Sequence, residues 1–251
     1  MKHILIILTT VLIISCSKDD AITKSKGTKL VSIEYFEENK NWKENYLYDS
    51  NNKLNEVENL YSLGRKYEIE YSDGKLKQFT TYRINDNKKI FRDSILYNFN
   101  GDIEKIYNYS INSGENLPLT WIYEFEYDNS GKLTKKSTYF KSNEEYMRFE
   151  KYYWNGENIE RIEEFNETEE LYYEYFFTFD DKVNYKRNIP IYISDPINWS
   201  ENNVTIMNWN DYHGNLDLIC RPCESTYKYN LDNFPVKIET NWGRQLELGY
   251  E

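Results

Sequence analysis

Cys220 and Cys223 are the residues whose type and spacing most readily suggest chemistry. A Cys-x-x-Cys redox centre requires a βαβ context and a thiolate at a helix N-terminus, and the surrounding sequence predicts neither. A zinc site needs four ligands, yet beyond residue 16 the chain has no third cysteine and one histidine, His213. We therefore predict no metal site. A local disulfide is favoured in an oxidising compartment, with two unpaired thiols as the alternative.

The N-terminus predicts export and lipidation. The apolar run Ile4–Ile14 is too short to cross a bilayer as a helix but is typical of a signal peptide. It ends in Ile-Ile-Ser-Cys, which resembles the bacterial lipobox, and this resemblance implies cleavage before Cys16 and acylation of that cysteine. Two or three acyl chains give stable attachment to a membrane. We expect a signal peptide over residues 1–15 and a lipidated flexible stalk over residues 16–30.

Charge bears on localisation and on partners. Ser17-Lys18-Asp19-Asp20 resembles the acidic export tag of some Gram-negative lipoproteins, although a plain polar spacer has the same composition. The resemblance implies a lipid-anchored protein of the outer membrane that faces the cell surface. The chain carries 42 acidic and 31 basic residues, a net charge of −11. Such a surface repels phosphates, so we expect no nucleic-acid partner.

Candidates for catalysis are few. A Ser-His-Asp or Cys-His arrangement requires an imidazole, and His213 precedes Gly214 in a sequence typical of a surface turn. Carboxylates are abundant, but most glutamates alternate with aromatic residues and so predict a solvated strand face. Gly-rich phosphate loops, His-Glu-x-x-His and EF-hand spacings do not occur. We expect no enzymatic activity and no cofactor, with glycoside hydrolysis by a carboxylate pair as the remaining alternative.

Composition and a repeated phrase predict an all-β fold. The chain has 25 Tyr, 12 Phe and 6 Trp but a single alanine, Ala21, a balance that favours strands over helices. In Tyr123–Tyr127 aromatic and acidic residues alternate with the period of a strand that has one buried face. Each such strand precedes a turn rich in Asp, Asn and Gly, which supply the positive φ angles of hairpins.

The clearest copy of this phrase is Tyr127-Asp-Asn-Ser-Gly-Lys-Leu133. Further copies lie at residues 48–54, 71–76, 99–103, 153–159, 179–183, 211–216 and 229–235. Because an isolated hairpin is only marginally stable, we expect the hairpins to pair edge to edge over residues 31–251. The predicted architecture is an antiparallel meander that forms a curved or spiralled sheet.

The phrase Tyr-Asp-x-x-Gly-Lys-Leu resembles the YD repeats of RHS-type proteins. It is still more similar to uncharacterised YD-repeat-like surface lipoproteins of Gram-negative bacteria, a family of unknown function. The resemblance covers residues 31–183 and returns in residues 208–251. It implies a curved sheet of hairpins without the toxin-enclosing shell of full RHS proteins, for which this chain is too short.

Residues 184–207 interrupt the repeat with an apolar cluster that contains Pro190 and Pro196. Prolines exclude a long helix or an inner strand here, so we predict a loop or short helical turn packed across the open end or concave face of the sheet. Trp42 and Trp199 stand in irregular surroundings and are candidates for stacking on a sugar. Packing within the sheet explains the other aromatic residues.

These features predict a membrane-anchored, surface-exposed lipoprotein that acts as a non-enzymatic binding or structural module. Its ligand would be a protein or a glycan. The alternative is a carbohydrate-binding accessory of an outer-membrane nutrient-uptake system that uses exposed aromatic residues.

Overall fold

In the computed structural model the chain forms a closed antiparallel β-barrel of sixteen strands. The structure describes residues 29–38, 40–61, 64–110, 118–140, 145–187, 189–213 and 221–251. The predicted signal peptide and Cys16 lie outside these residues. The strands are β1 Leu30–Glu37, β2 Lys40–Tyr48, β3 Leu54–Asn59, β4 Arg65–Ser72, β5 Lys75–Arg83, β6 Lys88–Tyr97, β7 Ile103–Ser110, β8 Leu119–Tyr127, β9 Leu133–Phe140, β10 Glu145–Asn155, β11 Asn158–Asn166, β12 Leu171–Val183, β13 Asn202–Asp211, β14 Cys223–Tyr229, β15 Pro235–Thr240 and β16 Gln245–Tyr250.

The sheet is a meander whose first and last strands pair. Each strand is the antiparallel neighbour of the next, and β1 closes against β16 with Ile33 opposite Leu248 and Tyr35 opposite Leu246. The prediction of a curved antiparallel sheet is therefore confirmed at a coarse level, and the curvature continues until both edges meet. Closure leaves the sheet without an exposed edge on which another chain could pair.

Strand alternation gives the barrel an apolar inside and a charged outside. In β4, Ile69 is buried in the core while its neighbours Glu68 and Glu70 face outward. Two buried clusters fill the lumen, one around Ile33, Val57 and Phe79 and the other around Ile106, Leu133 and Ile159. On the outer wall, oppositely charged residues pair across neighbouring strands (Lys43–Glu34, Lys105–Glu124, Lys135–Glu126 and Arg161–Glu174) and along a single strand (Lys66–Glu68 and Lys237–Glu239).

This polarity is opposite to that of a barrel wall in contact with lipid. Transmembrane barrels alternate apolar outward and polar inward, and a Lys or Arg on the lipid face costs about 2–4 kcal/mol at the bilayer midplane. Basic residues occur along the outer wall from β2 (Lys43) to β15 (Lys237), each beside a carboxylate. Their summed cost in hydrocarbon would exceed the stability of an ordinary domain. The wall is built to face water.

The repeated phrase marks one end of the barrel, here called the repeat end. Six aromatic residues, here called the girdle, each follow a register shift and donate a hydrogen bond to a main-chain carbonyl of the preceding hairpin. The donors and acceptors are Tyr48 to Leu30, Tyr71 to Leu54, Tyr97 to Leu76, Tyr127 to Ile103, Trp154 to Leu133 and Tyr250 to Pro235, at 2.7–2.9 Å.

In four of the six girdle contacts, a lysine precedes the acceptor and its ammonium group lies over the girdle ring. Lys53 lies over the ring of Tyr71 at 5.2 Å, and Lys75 lies over Tyr97 at 4.9 Å, both distances to the ring centroid. The Lys-Leu of one repeat therefore holds the Tyr of the next repeat. This contact between repeats explains why the aromatic residue and the Lys-Leu recur, while the length of the turn between them varies.

The turns of the phrase follow from Asx chemistry. The Asp128 carboxylate accepts main-chain hydrogen bonds from Ser130 at 2.8 Å and Lys132 at 3.0 Å, which closes the turn. Gly131 then adopts a φ of 81°, in the left-handed region that glycine enters without a steric cost.

Two predicted copies of the phrase have a different structure. Residues 179–183 belong to the final part of β12 rather than to a hairpin turn, because the chain continues into the irregular segment that follows. Asp211 ends β13 at the opposite end of the barrel, here called the far end, and residues 214–216 of that copy lie outside the described residues.

Candidate functional site

The segment between β12 and β13, here called the plug (residues 184–201), enters the lumen from the repeat end. It contains two short 3₁₀ turns, Pro190–Tyr192 and Pro196–Trp199, each with proline in its first turn, where the missing N–H is not needed. Its apolar side chains pack on both core clusters, with Ile189 in the first and Trp199 against the second. The predicted short helical turn therefore packs on the concave face, as expected, but that face is the inside of a closed barrel.

Hydrogen bonds fix the plug at its two ends. The Asn184 side-chain amide donates to the Ser200 carbonyl at 3.1 Å and to the Asn198 carbonyl at 3.2 Å. The Ser200 hydroxyl in turn accepts from the Ile159 main-chain N–H at 3.0 Å. Buried polar groups are satisfied within the protein in this way, so the plug is an integral part of the folded barrel.

A cavity of about 510 Å³ lies between the plug and the wall formed by β1, β2 and β12–β16. Seven aromatic residues contribute to its wall, and it reaches the far end, where the β15–β16 turn contributes Trp242 and Arg244. The residues on which the argument below rests are Tyr35, Trp42, Glu44, Tyr192, Asp195 and Arg244.

Glu44 is the most constrained acidic group of the cavity. It is 7% exposed, and its Oε2 accepts hydrogen bonds from the hydroxyls of Tyr46 at 2.7 Å, Tyr35 at 3.0 Å and Tyr192 at 3.2 Å. Its Oε1 accepts from the Asn59 amide at 2.7 Å. Desolvation raises the pKa of the Tyr35 and Tyr46 hydroxyls well above its usual range, so both stay protonated and continue to donate.

Trp42 forms the aromatic wall beside this carboxylate. Its ring stacks on Tyr35 with centroids 4.7 Å apart and planes 5° apart, and the edge of Tyr61 approaches at 4.8 Å. The Arg244 guanidinium lies 5.6 Å from the Trp42 ring centroid and pairs with Glu37 at 2.6 Å. The arrangement can hold a planar or ring-shaped polar molecule, with Trp42 as a rigid face and polar groups around it.

A second polar layer lies on the other side of the plug. Lys136 is 7% exposed and pairs with both carboxylate oxygens of Glu150 at 2.9 and 3.1 Å, and Tyr152 also donates to Glu150. Burial raises the pKa of Asp195 on the plug, while the nearby positive charge of Lys136 opposes that shift. The charges of Lys136 and Glu150 neutralise each other, which is the arrangement that a buried ion pair requires.

The residues singled out from the sequence are dispersed rather than gathered. Trp199 does not stand on the outer surface: it stacks on Phe125 at 5.7 Å, and its indole N–H donates to the Ile193 carbonyl at 3.2 Å. Trp42 also faces the lumen, but unlike Trp199 it lines the 510 Å³ cavity. A stacking role for either residue stays a prediction.

The sulfur and imidazole groups are placed as follows. Cys223 is disulfide-bonded and lines the cavity, whereas Cys220 lies outside the described residues, so the pairing of the two stays a prediction. His213 follows β13 and stacks on Tyr172 at 4.3 Å.

In the described part of the chain no three residues among His, Cys, Asp and Glu gather as a metal site would require. None of the helices there is long and apolar enough to cross a membrane.

Sequence reasoning missed Glu44, although the strand pattern contains a sign of it. In β2 the inward positions are Trp42, Glu44, Tyr46 and Tyr48, so a carboxylate interrupts an aromatic phase. Asp93 interrupts the inward phase of β6 in the same way. An acidic residue at an inward strand position, where the alternation otherwise places aromatic residues, therefore indicates a polar group in the lumen.

Comparisons with known proteins give a fold and no family. No protein-family model and no curated protein matches the sequence. A porin-like protein from Bacteroides uniformis has a similar solved structure, with a TM-score of 0.58, 14% identity, and coverage of 89% of this chain and 99% of that chain. A porin-like protein from Bacteroides vulgatus has a TM-score of 0.56 and 11% identity at the same coverage. At these identities the likeness shows a shared closed β-barrel.

Proposed function

We propose that this chain is a lipid-anchored, non-enzymatic outer-membrane protein whose barrel binds a small polar ligand in the lumen cavity. The observation that carries the proposal is the aromatic cavity of about 510 Å³ with Glu44 and Arg244 among its polar groups. Ligand sites in proteins are concave, largely apolar cavities of about 300–1,000 Å³ with a few fixed polar groups. The lipid anchor rests on the lipobox ending at Cys16.

Binding fits the barrel better than conduction of solutes. Its outer wall carries ion-paired Lys and Arg residues, which a lipid-facing wall excludes. The plug packs against both core clusters inside the lumen. In this proposal the barrel is held at a membrane by its N-terminal lipid and stands in water.

The geometry also favours binding over catalysis. A general acid or base must be free to exchange a proton with its substrate, but the Glu44 carboxylate is already held by four neutral donors. By fixing the side chains of Tyr35 and Tyr192, which line the cavity, Glu44 supports a binding surface as second-layer hydrogen bonds do around many binding sites.

Ligand-observed NMR with a library of small polar compounds tests the proposal, using the fragment 21–251. The barrel closes within residues 29–251, so this fragment contains all of it. Binders are expected to lose their signal with Trp42→Ala and to keep it with Trp121→Ala, a matched tryptophan that packs on Phe140 at 4.9 Å away from the cavity. Binders that respond equally to both variants would place the site elsewhere.

A carbohydrate ligand is the second candidate, and Trp42 is the observation that favours it, because a flat indole beside hydrogen-bonding groups suits a sugar ring. A glycan array probed with the same fragment is expected to give a signal that Trp42→Ala removes. Co-purification of a protein from intact cells, with an unreactive array, would instead favour a protein ligand.

The anchor is tested separately in cells. Radiolabelled palmitate is expected to enter the full-length chain and to be absent from the Cys16→Ala variant. Equal labelling of both would contradict lipidation at Cys16.

A further inference from the structure

We propose that the repeat end of the barrel docks on the bilayer, with Phe99 and Leu231 inserted at the lipid interface and the far end turned away. This orientation rests on the lipid anchor of the proposed function. The docking surface is defined by the tips of two hairpin turns, residues 98–102 and 230–234.

Phe99 and Leu231 are fully exposed, at 105% and 102%. The hydrogen bonds that close the two turns do not involve the side chains of Phe99 and Leu231. Each turn is closed by its first residue, since the Asn98 side chain accepts from Asp102 N–H and the Asn230 side chain accepts from Phe234 N–H, both at 3.0 Å. The same position holds Ser50 and Asn129 in two other turns of the phrase. A fully exposed apolar side chain at the tip of a turn is free to insert into a lipid interface.

The two tips lie on opposite sides of the barrel. One joins β6 to β7 and the other joins β14 to β15, so they are eight strands apart in a closed ring of sixteen. Two insertions on opposite sides resist tilting in the plane that contains both tips, which a single insertion cannot do. The pair therefore restricts the tilt of the barrel axis within that plane.

The chain enters the barrel at this same end. Lys29 and Glu251 exchange main-chain hydrogen bonds of 2.9 Å, and the Lys29 ammonium donates to the Asn52 side chain in a turn of the repeat end. Lys29 follows Cys16 by thirteen positions in the sequence, and a chain of that length reaches at most about 45 Å. A barrel with strands of about eight to ten residues is roughly 25 Å tall.

The length of the tether thus permits either end of the barrel to reach the bilayer. The exposed apolar tips favour the repeat end. Among the described residues of the far end, the exposed apolar side chains are weaker anchors, because Tyr212 is 53% exposed, Leu60 48% and Ile84 37%. Lysines of the repeat end are engaged with the girdle, as Lys53 is with Tyr71, and turns of this end also carry acidic residues such as Asp73 and Asp232. We therefore infer apolar insertion into a zwitterionic interface rather than attraction to anionic headgroups.

The orientation has a consequence for the cavity. Trp242 and Arg244 line the cavity from the β15–β16 turn, which lies at the far end. With the repeat end on the bilayer, this part of the cavity faces the surrounding medium and is open to ligands that arrive from there.

Hydrogen–deuterium exchange measured by mass spectrometry tests the orientation. The fragment 21–251 with an N-terminal hexahistidine is held on dioleoylphosphatidylcholine vesicles through a nickel-chelating lipid, so the tether does not depend on Cys16. Amides of turns 98–102 and 230–234 are expected to exchange at least about threefold more slowly on vesicles than in solution, while turn 84–87 is unchanged.

The Phe99→Ser/Leu231→Ser double variant is expected to lose this protection. Without the nickel lipid, its partition onto the same vesicles should fall by about tenfold for each side chain removed. The matched Leu60→Ser/Ile84→Ser variant should behave as the wild type. Protection at turn 84–87 instead, no protection at either end, or protection that survives the double variant would overturn the orientation. Absence of palmitate from Cys16 would refute the natural anchor and leave the vesicle result standing.

Discussion

Removing girdle hydroxyls should lower the stability of the barrel by a predictable amount. Tyr71 and Tyr127 each donate one hydrogen bond of 2.9 Å to the carbonyl of Leu54 and Ile103, respectively. Substitution by phenylalanine keeps the ring, and with it the contact from Lys53 at 5.2 Å. Only the hydrogen bond is lost, at a cost of about 1 kcal/mol.

The two sites lie in different hairpins and share no partner, so their effects should add. Tyr71→Phe/Tyr127→Phe is expected to lower the free energy of unfolding by about 2 kcal/mol. In urea, with a slope of about 3 kcal/mol per molar, the midpoint should fall by about 0.7 M at unchanged slope.

Tyr107→Phe is the matched control, because this tyrosine of β7 faces the outer wall opposite Ile122. Its expected cost is within about 0.5 kcal/mol. A double variant as stable as the wild type, or a control as costly as the girdle variants, would refute the view that hydrogen bonds between repeats hold the ring together.

Three further predictions concern the lumen and the turns. Lys136→Met should cost about 3–5 kcal/mol in urea unfolding because it leaves Glu150 buried without its cation, whereas Lys136→Met/Glu150→Leu should recover most of that loss; equal losses would contradict the pairing. Burial raises the pKa of Asp93 to about 6, so the folded state holds a proton that the unfolded state has released, and stability should fall as pH rises from 4 to 6. Asp93→Asn should flatten this dependence and, at pH 7, stabilise the fold by on the order of 2–3 kcal/mol; an unchanged pH profile would exclude Asp93 as its source. Gly131→Ala should cost about 1–2 kcal/mol because φ is 81° there, and a neutral effect would show that the turn can readjust.

Much of the wall could be predicted from the sequence because alternation is a local property. The alternation in Tyr123–Tyr127 predicts the aromatic residues on one face and the two glutamates on the other, and the structure places them so. The turn residues were equally local, since an Asx side chain and a positive φ act within five residues.

Closure could not be predicted, because it depends on strand number and stagger summed over the whole sheet. The pairing of Ile33 with Leu248 joins residues from the two ends of the chain. The cavity was missed for the same reason: Tyr192 reaches Glu44 across 148 positions of sequence. The sequence pattern of β2 shows only that Glu44 occupies an inward position among aromatic residues. It does not show which side chains Glu44 contacts.

The girdle has a consequence for how such barrels arise. Each link joins one repeat to the aromatic residue of the next, in four cases through a Lys-Leu pair, as in Lys75-Leu76 with Tyr97. Duplication of one hairpin within the gene would therefore supply its own link on both sides and widen the circumference by two strands. Deletion of one would narrow the ring and rejoin the remaining links. A single recombination event could thus produce a barrel of larger or smaller diameter, with a lumen suited to a larger or smaller plug or ligand.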